Sequence, residues 1–277
     1  MIPLRCATSY ILLGRHQSPP PTNMLQHTFI HAEGVGPATE RKLWSAGIKS
    51  WDMFLEHHRE GKVPYRNLNR MAPIIEESRL AFKRQDVGFF ADRMKSSDQW
   101  RLYRDFAQLA AFVDIETTGL SPDIDQITII GLFAGGNFHA FVQGKNLDQF
   151  PRVVANYPLV ITFNGAQFDL QFLRKEFPTF NPVAHLDLRY PLCKLGYRGG
   201  LKLIERKLGI IRPEHLRDVD GYEAVRLWSQ HRRGKAGALE QLVDYCRHDV
   251  LNMKPLAERV AAEMPGQAGF QTMLAYD

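Results

Sequence analysis

Cysteine is scarce in this sequence: Cys6, Cys193 and Cys246 are the only three in 277 residues, with no close pair and no zinc-type spacing. That excludes a disulfide framework and leaves reduced thiols, as expected of a cytoplasmic protein. Also missing is any apolar run approaching the roughly 18 residues that a membrane helix needs. The apolar piece at residues 10–13 is too brief and too poorly flanked for a secretory signal. Charge of one sign is not in great excess either. A formal net charge of +5 permits a polyanionic partner without requiring one. What is present, 44% hydrophobic and 23% charged residues, suits a globular protein with one sizeable core and a small accessory unit.

The stretch that organises the chain runs from Ala110 to Leu120. An apolar run of strand type, Ala110-Ala111-Phe112-Val113, meets two carboxylates one residue apart, then Thr117, Thr118 and Gly119. Strand alternation puts Asp114 and Glu116 on one face, a few ångströms apart. Like charges held so close repel and invite a cation, and oxygen donors suit a hard divalent ion such as magnesium or manganese. The alternative is a strand end entering a polar turn with both acids solvated. On these residues alone, both readings stand.

Beyond this stretch the period stays that of strands. Residues 126–133 and 138–142 are β-rich apolar runs joined by a hairpin signal, Gly135-Gly136. Residues 146–156 read as helix and 159–163 as strand. Hairpin strands followed by alternating helices and strands predict a mixed α/β sheet covered by helices. At the end of the strand over 159–163 come Asn164, Phe168 and Asp169. Asp169 falls at a helix start, where a carboxylate also suits the helix dipole. Residues 238–251 form a strong helix with a core stripe of Leu239, Leu242, Cys246 and Val250. Tyr245 and Asp249, four apart, are adjacent on one face of it.

Asp114-x-Glu116, Asn164-x-x-x-Phe168-Asp169 and Tyr245-x-x-x-Asp249, in that order, resemble the three motifs of the DEDDy 3′→5′ exonucleases. These belong to the ribonuclease H-like superfamily, which includes the proofreading domains of family B DNA polymerases. The stretches His185-Leu186-Asp187-Leu188-Arg189-Tyr190 and Gly196-Tyr197-Arg198-Gly199-Gly200-Leu201-Lys202 narrow the similarity to the YprB-like ribonuclease H-like proteins. Cys246-Arg247-His248 departs from the more polar run expected there. The resemblance implies a ribonuclease H-like mixed sheet flanked by helices, with a small all-α module in front. It implies two divalent cations, Mg2+ or Mn2+. Asp114, Glu116, Asp169 and Asp249 would be their ligands and Tyr245 would orient the attacking water. Thr117, Leu120 and Asn164 would meet the 3′ end of a single-stranded DNA or RNA. Asp187 reads either as an outer acid or as a cap, and His248 as a helix-surface group or an outer group of the site rather than as the base.

Arg198, Lys202 and Arg206 recur every four residues on an expected helix, with Arg212 just beyond, a face that could track phosphates or simply be solvated beside Glu205. At the front, Gly34-Val35-Gly36-Pro37 precedes a helix closed by Gly47, and Ser50 caps another. This resembles a helix-hairpin-helix motif, in which the amides around Gly34 and Gly36 would meet a phosphate. The alternative is a packing module that touches only protein. The expected organisation is a leader over 1–23, the hairpin module over 24–60, a helical linker over 61–108, the exonuclease domain over 109–264 and a tail over 265–277. The expected function is a metal-dependent 3′→5′ exonuclease on single-stranded ends, DNA before RNA. The rivals are a weakly active binding or scaffold protein and a structure-specific endonuclease. The sequence names no protein partner.

Overall fold

The computed structural model describes residues 23–64, 66–216 and 221–270. Most of the expected leader, residues 1–22, and residues 271–277 of the expected tail lie outside the described residues. The sheet consists of β1 (Ala110–Thr117), β2 (Ile127–Ala134), β3 (Asn137–Val142), β4 (Leu159–Thr162) and β5 (Ala184–Asp187). Its order is β3-β2-β1-β4-β5, which puts the acid-bearing strand at the centre. β2 and β3 form the hairpin signalled by the paired glycines, antiparallel to each other and to β1. β4 and β5 run parallel to β1, so helical crossovers must connect them.

In chain order the helices are α1 (Pro37–Ser45), α2 (Trp51–Arg59), α3 (Ala72–Lys83), α4 (Val87–Ala91) and α5 (Leu102–Phe106) before the sheet. Within and after it come α6 (Phe150–Val154), α7 (Asp169–Glu176), α8 (Arg189–Lys194), α9 (Leu201–Lys207), α10 (Gly221–Arg232) and α11 (Ala238–Ala268). The architecture is the expected mixed sheet flanked by helices behind a helical N-terminal region. No helix among the described residues is long and apolar enough to cross a membrane.

Strand alternation assigns the two faces of β1. Ala111, Val113 and Ile115 pack with Phe150, Leu170 and Phe172 from α6 and α7. Ala110 and Phe112 pack with Val250, Met253 and Leu256 of α11. Asp114 and Glu116 therefore turn toward α11, not toward solvent. The helix can come close because Gly131, the β2 partner of Asp114, has no side chain. A Cβ there would lie 2.6 Å from Cys246 Sγ.

One local expectation is corrected. The helix expected over 146–156 is a short 3₁₀ turn followed by α6, whose start is fixed by Pro151 in its first turn. The last helix runs past residue 264. α11 continues through Pro255 and Pro265 because its apolar face stays buried, and this outweighs the amide donors that the prolines lack.

The N-terminal helices share one continuous core with α11, from Met24 through Trp51, Phe90 and Phe106 to Phe270. Trp44 packs against Phe270 with ring centroids 4.4 Å apart. Within this core Glu40 and Arg101 are an ion pair, their side chains 1% and 2% exposed. Glu40 Oε1 accepts from Arg101 Nη1 at 2.9 Å and from the amides of Phe29 and Ile30 at 2.7 and 3.3 Å. The glycines Gly34 and Gly36 are exposed ahead of α1, but the only helical element described before them is the 3₁₀ turn Leu25–His27. Breaking a buried pair by removing one partner strands the other charge. Arg101→Met is expected to destabilise the fold by about 3–5 kcal/mol in urea denaturation, and adding Glu40→Gln to recover part of the loss. A single variant within error of wild type would remove this pair as the tie.

Candidate active site

Four acids reach one cavity from three elements. β1 supplies Asp114 and Glu116, the first residue of α7 supplies Asp169, and the middle of α11 supplies Asp249 with Tyr245 one turn earlier. The cavity holds about 600 Å³ and is also lined by Thr117, Leu120, Phe163, Asn164, Phe168 and Tyr222. Asp114 is half-buried; Glu116, Asp169, Tyr245 and Asp249 are buried.

The electrostatics follow from this crowding. Burial raises the proton affinity of Asp114, and the charges of Asp249, Asp169 and Glu116 raise it further. Burial and then Asp249 do the same to Glu116. Asp169 is pushed up to about 7, chiefly by burial, against backbone hydrogen bonds that lower it. The Tyr245 phenol is raised by burial and by three of these acids, so it stays protonated. Glu116 Oε1 and Asp169 Oδ1 are buried and have no hydrogen-bond partner among the described residues. Orphaned, crowded carboxylate oxygens fit a hard divalent cation. The residues present therefore fit the metals implied by the resemblance.

Two cations of the chain already answer part of this charge. Arg212 is buried and grips Glu205 with Nε and Nη2, both at 2.6 Å, while Nη2 also pairs with Asp249 Oδ1. Burial disfavours a charged guanidinium, but the bonds to Glu205 and Asp249 outweigh it and raise its pKa. Lys202 Nζ donates to Tyr245 Oη at 2.8 Å. That bond occupies an oxygen lone pair and leaves the tyrosine O–H free to donate elsewhere.

The expected basic face is therefore corrected. α9 starts only at Leu201, because Gly199 at φ +123° interrupts the chain ahead of it, and Arg198 lies in the preceding turn. Lys202 turns inward and Arg206 outward. Asp187 is a cap: its carboxylate accepts from the amides of Asn164 at 2.7 Å, Ala166 at 3.1 Å and Arg189 at 3.1 Å. This fixes the loop that carries Asn164, itself at φ +65°, whose side-chain oxygen accepts from Arg189. Thr117 Oγ1 donates to the Gly119 carbonyl at 2.5 Å, and Leu120 stands 85% exposed at the rim. His248 Nδ1 bonds the Asp244 carbonyl at 2.8 Å along its own helix, and His248 does not line the cavity. Gly34 and Gly36 belong to the N-terminal region and do not line it either. Sequence reasoning missed the Glu205–Arg212–Asp249 chain and the rim residue Tyr222. An acid inside an otherwise basic helix was the one available signal for the first.

A family model described as the RNase_H superfamily matches residues 111–261. An uncharacterized protein of Methanocaldococcus jannaschii is 29% identical over 170 residues, 50% of this chain and 88% of that protein. Among solved structures, the family B DNA polymerase of Pyrobaculum calidifontis aligns with a TM-score of 0.46 at 15% identity. The alignment covers 57% of this chain and 25% of the polymerase, so the chain spans about a quarter of that protein's length. NrnC of Brucella melitensis, solved bound to pGG, aligns with a TM-score of 0.42 at 19% identity over 61% of this chain and 80% of NrnC.

The raised affinity of Asp169 has a measurable consequence in chelator. The unfolded chain releases this proton near 3.8 and the folded chain near 7, so between those values the folded state holds the extra proton. This contribution to stability is complete below 3.8 and is lost as pH rises toward 7. Asp169→Asn is expected to flatten that decline in denaturation curves taken across the window. An undiminished slope would place the raised affinity elsewhere.

Proposed function

The chain belongs to the RNase_H superfamily, and we propose that it is a metal-dependent 3′→5′ exonuclease of DEDDy type, acting on single-stranded nucleic-acid ends. The observation that carries this is the convergence of Asp114, Glu116, Asp169, Asp249 and Tyr245 on one cavity. The reaction is attack of a water oxygen on phosphorus, with the bond to the 3′ oxygen broken and a nucleoside 5′-monophosphate released. Asp114, Glu116 and Asp249 would hold one divalent ion, Mg2+ or Mn2+, and Asp114 would share a second, with Asp169 acting directly or through water. When bound, the ions supply activation of the water and stabilisation of the departing oxygen.

The chain's own groups do the rest. Tyr245, protonated and with its oxygen held by Lys202, has an O–H free to orient the water. Thr117, Leu120 and Asn164 are proposed to receive the terminal nucleotide. The exposed Arg198 and Arg206 are proposed to meet phosphates farther along the strand. The exposed Gly34 and Gly36 are proposed as a second backbone contact, which favours DNA over RNA as substrate. The stretches at His185 and Gly196 support a YprB-like placement within the superfamily, in a cytoplasmic protein. The intact acid set speaks against a scaffold without turnover, because repelling buried carboxylates destabilise a fold that has no use for them.

Asp114→Ala is expected to abolish cleavage of 5′-labelled single-stranded DNA in Mn2+ while the protein stays folded. Wild type should give a ladder shortening from the 3′ end that chelator removes. Cleavage undiminished in the variant would overturn the metal assignment, and internal cuts on end-blocked DNA would turn the reading to an endonuclease. Tyr245→Phe should slow turnover roughly 10- to 100-fold with metal affinity retained. An unchanged rate would mean that the water is oriented by another group.

A further inference from the structure

We infer that Cys246 gives the acid pair of β1 a soft third donor, forming a site for a thiophilic divalent ion such as Zn2+ or Cd2+ held by Asp114, Glu116 and Cys246. The ligand atoms of these three residues all lie within 4.8 Å of one another. The thiol is fully buried, and it reaches the pair because Gly131 leaves room for it between β2 and α11. It stands three residues before Asp249, on the same face of α11. A second observation points to a ligand at the same place. Glu116, 6% exposed and one of the three donors, carries a buried Oε1 that has no hydrogen-bond partner among the described residues.

Donor softness decides which ion uses the thiol. Mg2+ takes oxygen donors and leaves sulfur alone, whereas Zn2+ and Cd2+ bind thiolate strongly. On binding, the sulfur–metal bond forms, the S–H bond breaks and the proton leaves to solvent, with no change of oxidation state. The soft ion occupies the carboxylates that the hard ions need, so it acts as an inhibitor at the centre. This inference rests on the reading of Asp114 and Glu116 as metal ligands.

The test titrates the full chain with Cd2+ and follows the ultraviolet cadmium–thiolate charge-transfer band, for wild type, Cys246→Ser and Cys246→Ala. Cys6 and Cys193 remain in all three proteins, so the difference spectra report Cys246. Wild type is expected to show one thiolate–cadmium signal per chain that both variants lack. Cd2+ affinity should fall in both variants by at least the roughly ten- to hundred-fold that outer-shell changes cause. Zn2+ inhibition of Mn2+-supported cleavage should weaken by a similar factor in whichever variant turns over. Mn2+ binding, read from loss of the free-ion paramagnetic signal, tests the parent reading separately. No Mn2+ binding to wild type overturns the metal centre itself. Mn2+ binding by wild type, with Cd2+ spectra and affinities unchanged in the variants, overturns only the thiol assignment.

Discussion

The structure depends on keeping four carboxylates together in a space with little water. Burial raises the proton affinity of each, and repulsion among them adds to it at Asp114, Glu116 and Asp169, so the arrangement costs stability unless cations answer it. The chain provides part of the answer from a long way off. Arg212 reaches Asp249 from beyond α9 and is itself anchored by Glu205, while Lys202 leans in over the Tyr245 ring. The inventory of acids and cations here is unequal, and the excess negative charge is what a divalent ion would neutralise.

Rigid packing makes that crowding tolerable. β1 is buried at the middle of the sheet, and α11, a helix of 31 residues, packs against it through Val250, Met253 and Leu256. The far end of α11 is packed by the N-terminal helices through the core that joins Met24 to Phe270, and the pair Glu40–Arg101 ties those N-terminal segments to one another. The front of the chain therefore supports the helix that carries Tyr245 and Asp249. Whatever the exposed glycines meet, this region is also part of the scaffold of the site.

Much of this was legible in the sequence because the signals are local. Alternation along β1 put Asp114 and Glu116 on one face, the strand-to-helix change located Asp169, and the i,i+4 spacing paired Tyr245 with Asp249. What was not legible depends on where the backbone turns. Arg198 looked collinear with Lys202 and Arg206 until Gly199 bent the chain before α9. Glu205 looked like a solvated neighbour of basic residues, yet it is buried beneath Arg212. Asp187 could be an outer acid or a cap by sequence, and three backbone amides make it a cap. Cys246 read as core stripe, which it is; its second neighbourhood, beside the acids, follows from Gly131 on another strand.

The charge that invites cations also fixes the part Tyr245 can play. A phenol raised by burial and three acids does not ionise near neutral pH, so it cannot take a proton from water as a base. Lys202 donates to the same oxygen, which stabilises the hydroxyl as a donor and sets its direction. The tyrosine is thus suited to orientation and unsuited to proton abstraction. On the proposed reaction, the proton of the attacking water would then pass to solvent or to a carboxylate. Asp169, pushed up to about 7 chiefly by burial, lies in the range where an acceptor of that proton is effective. Metals would lower that value by adding positive charge, so the acceptor role weakens as the centre fills and release to solvent gains. On the proposed reaction, the roles of tyrosine, aspartate and ion would therefore be set together by one shared field.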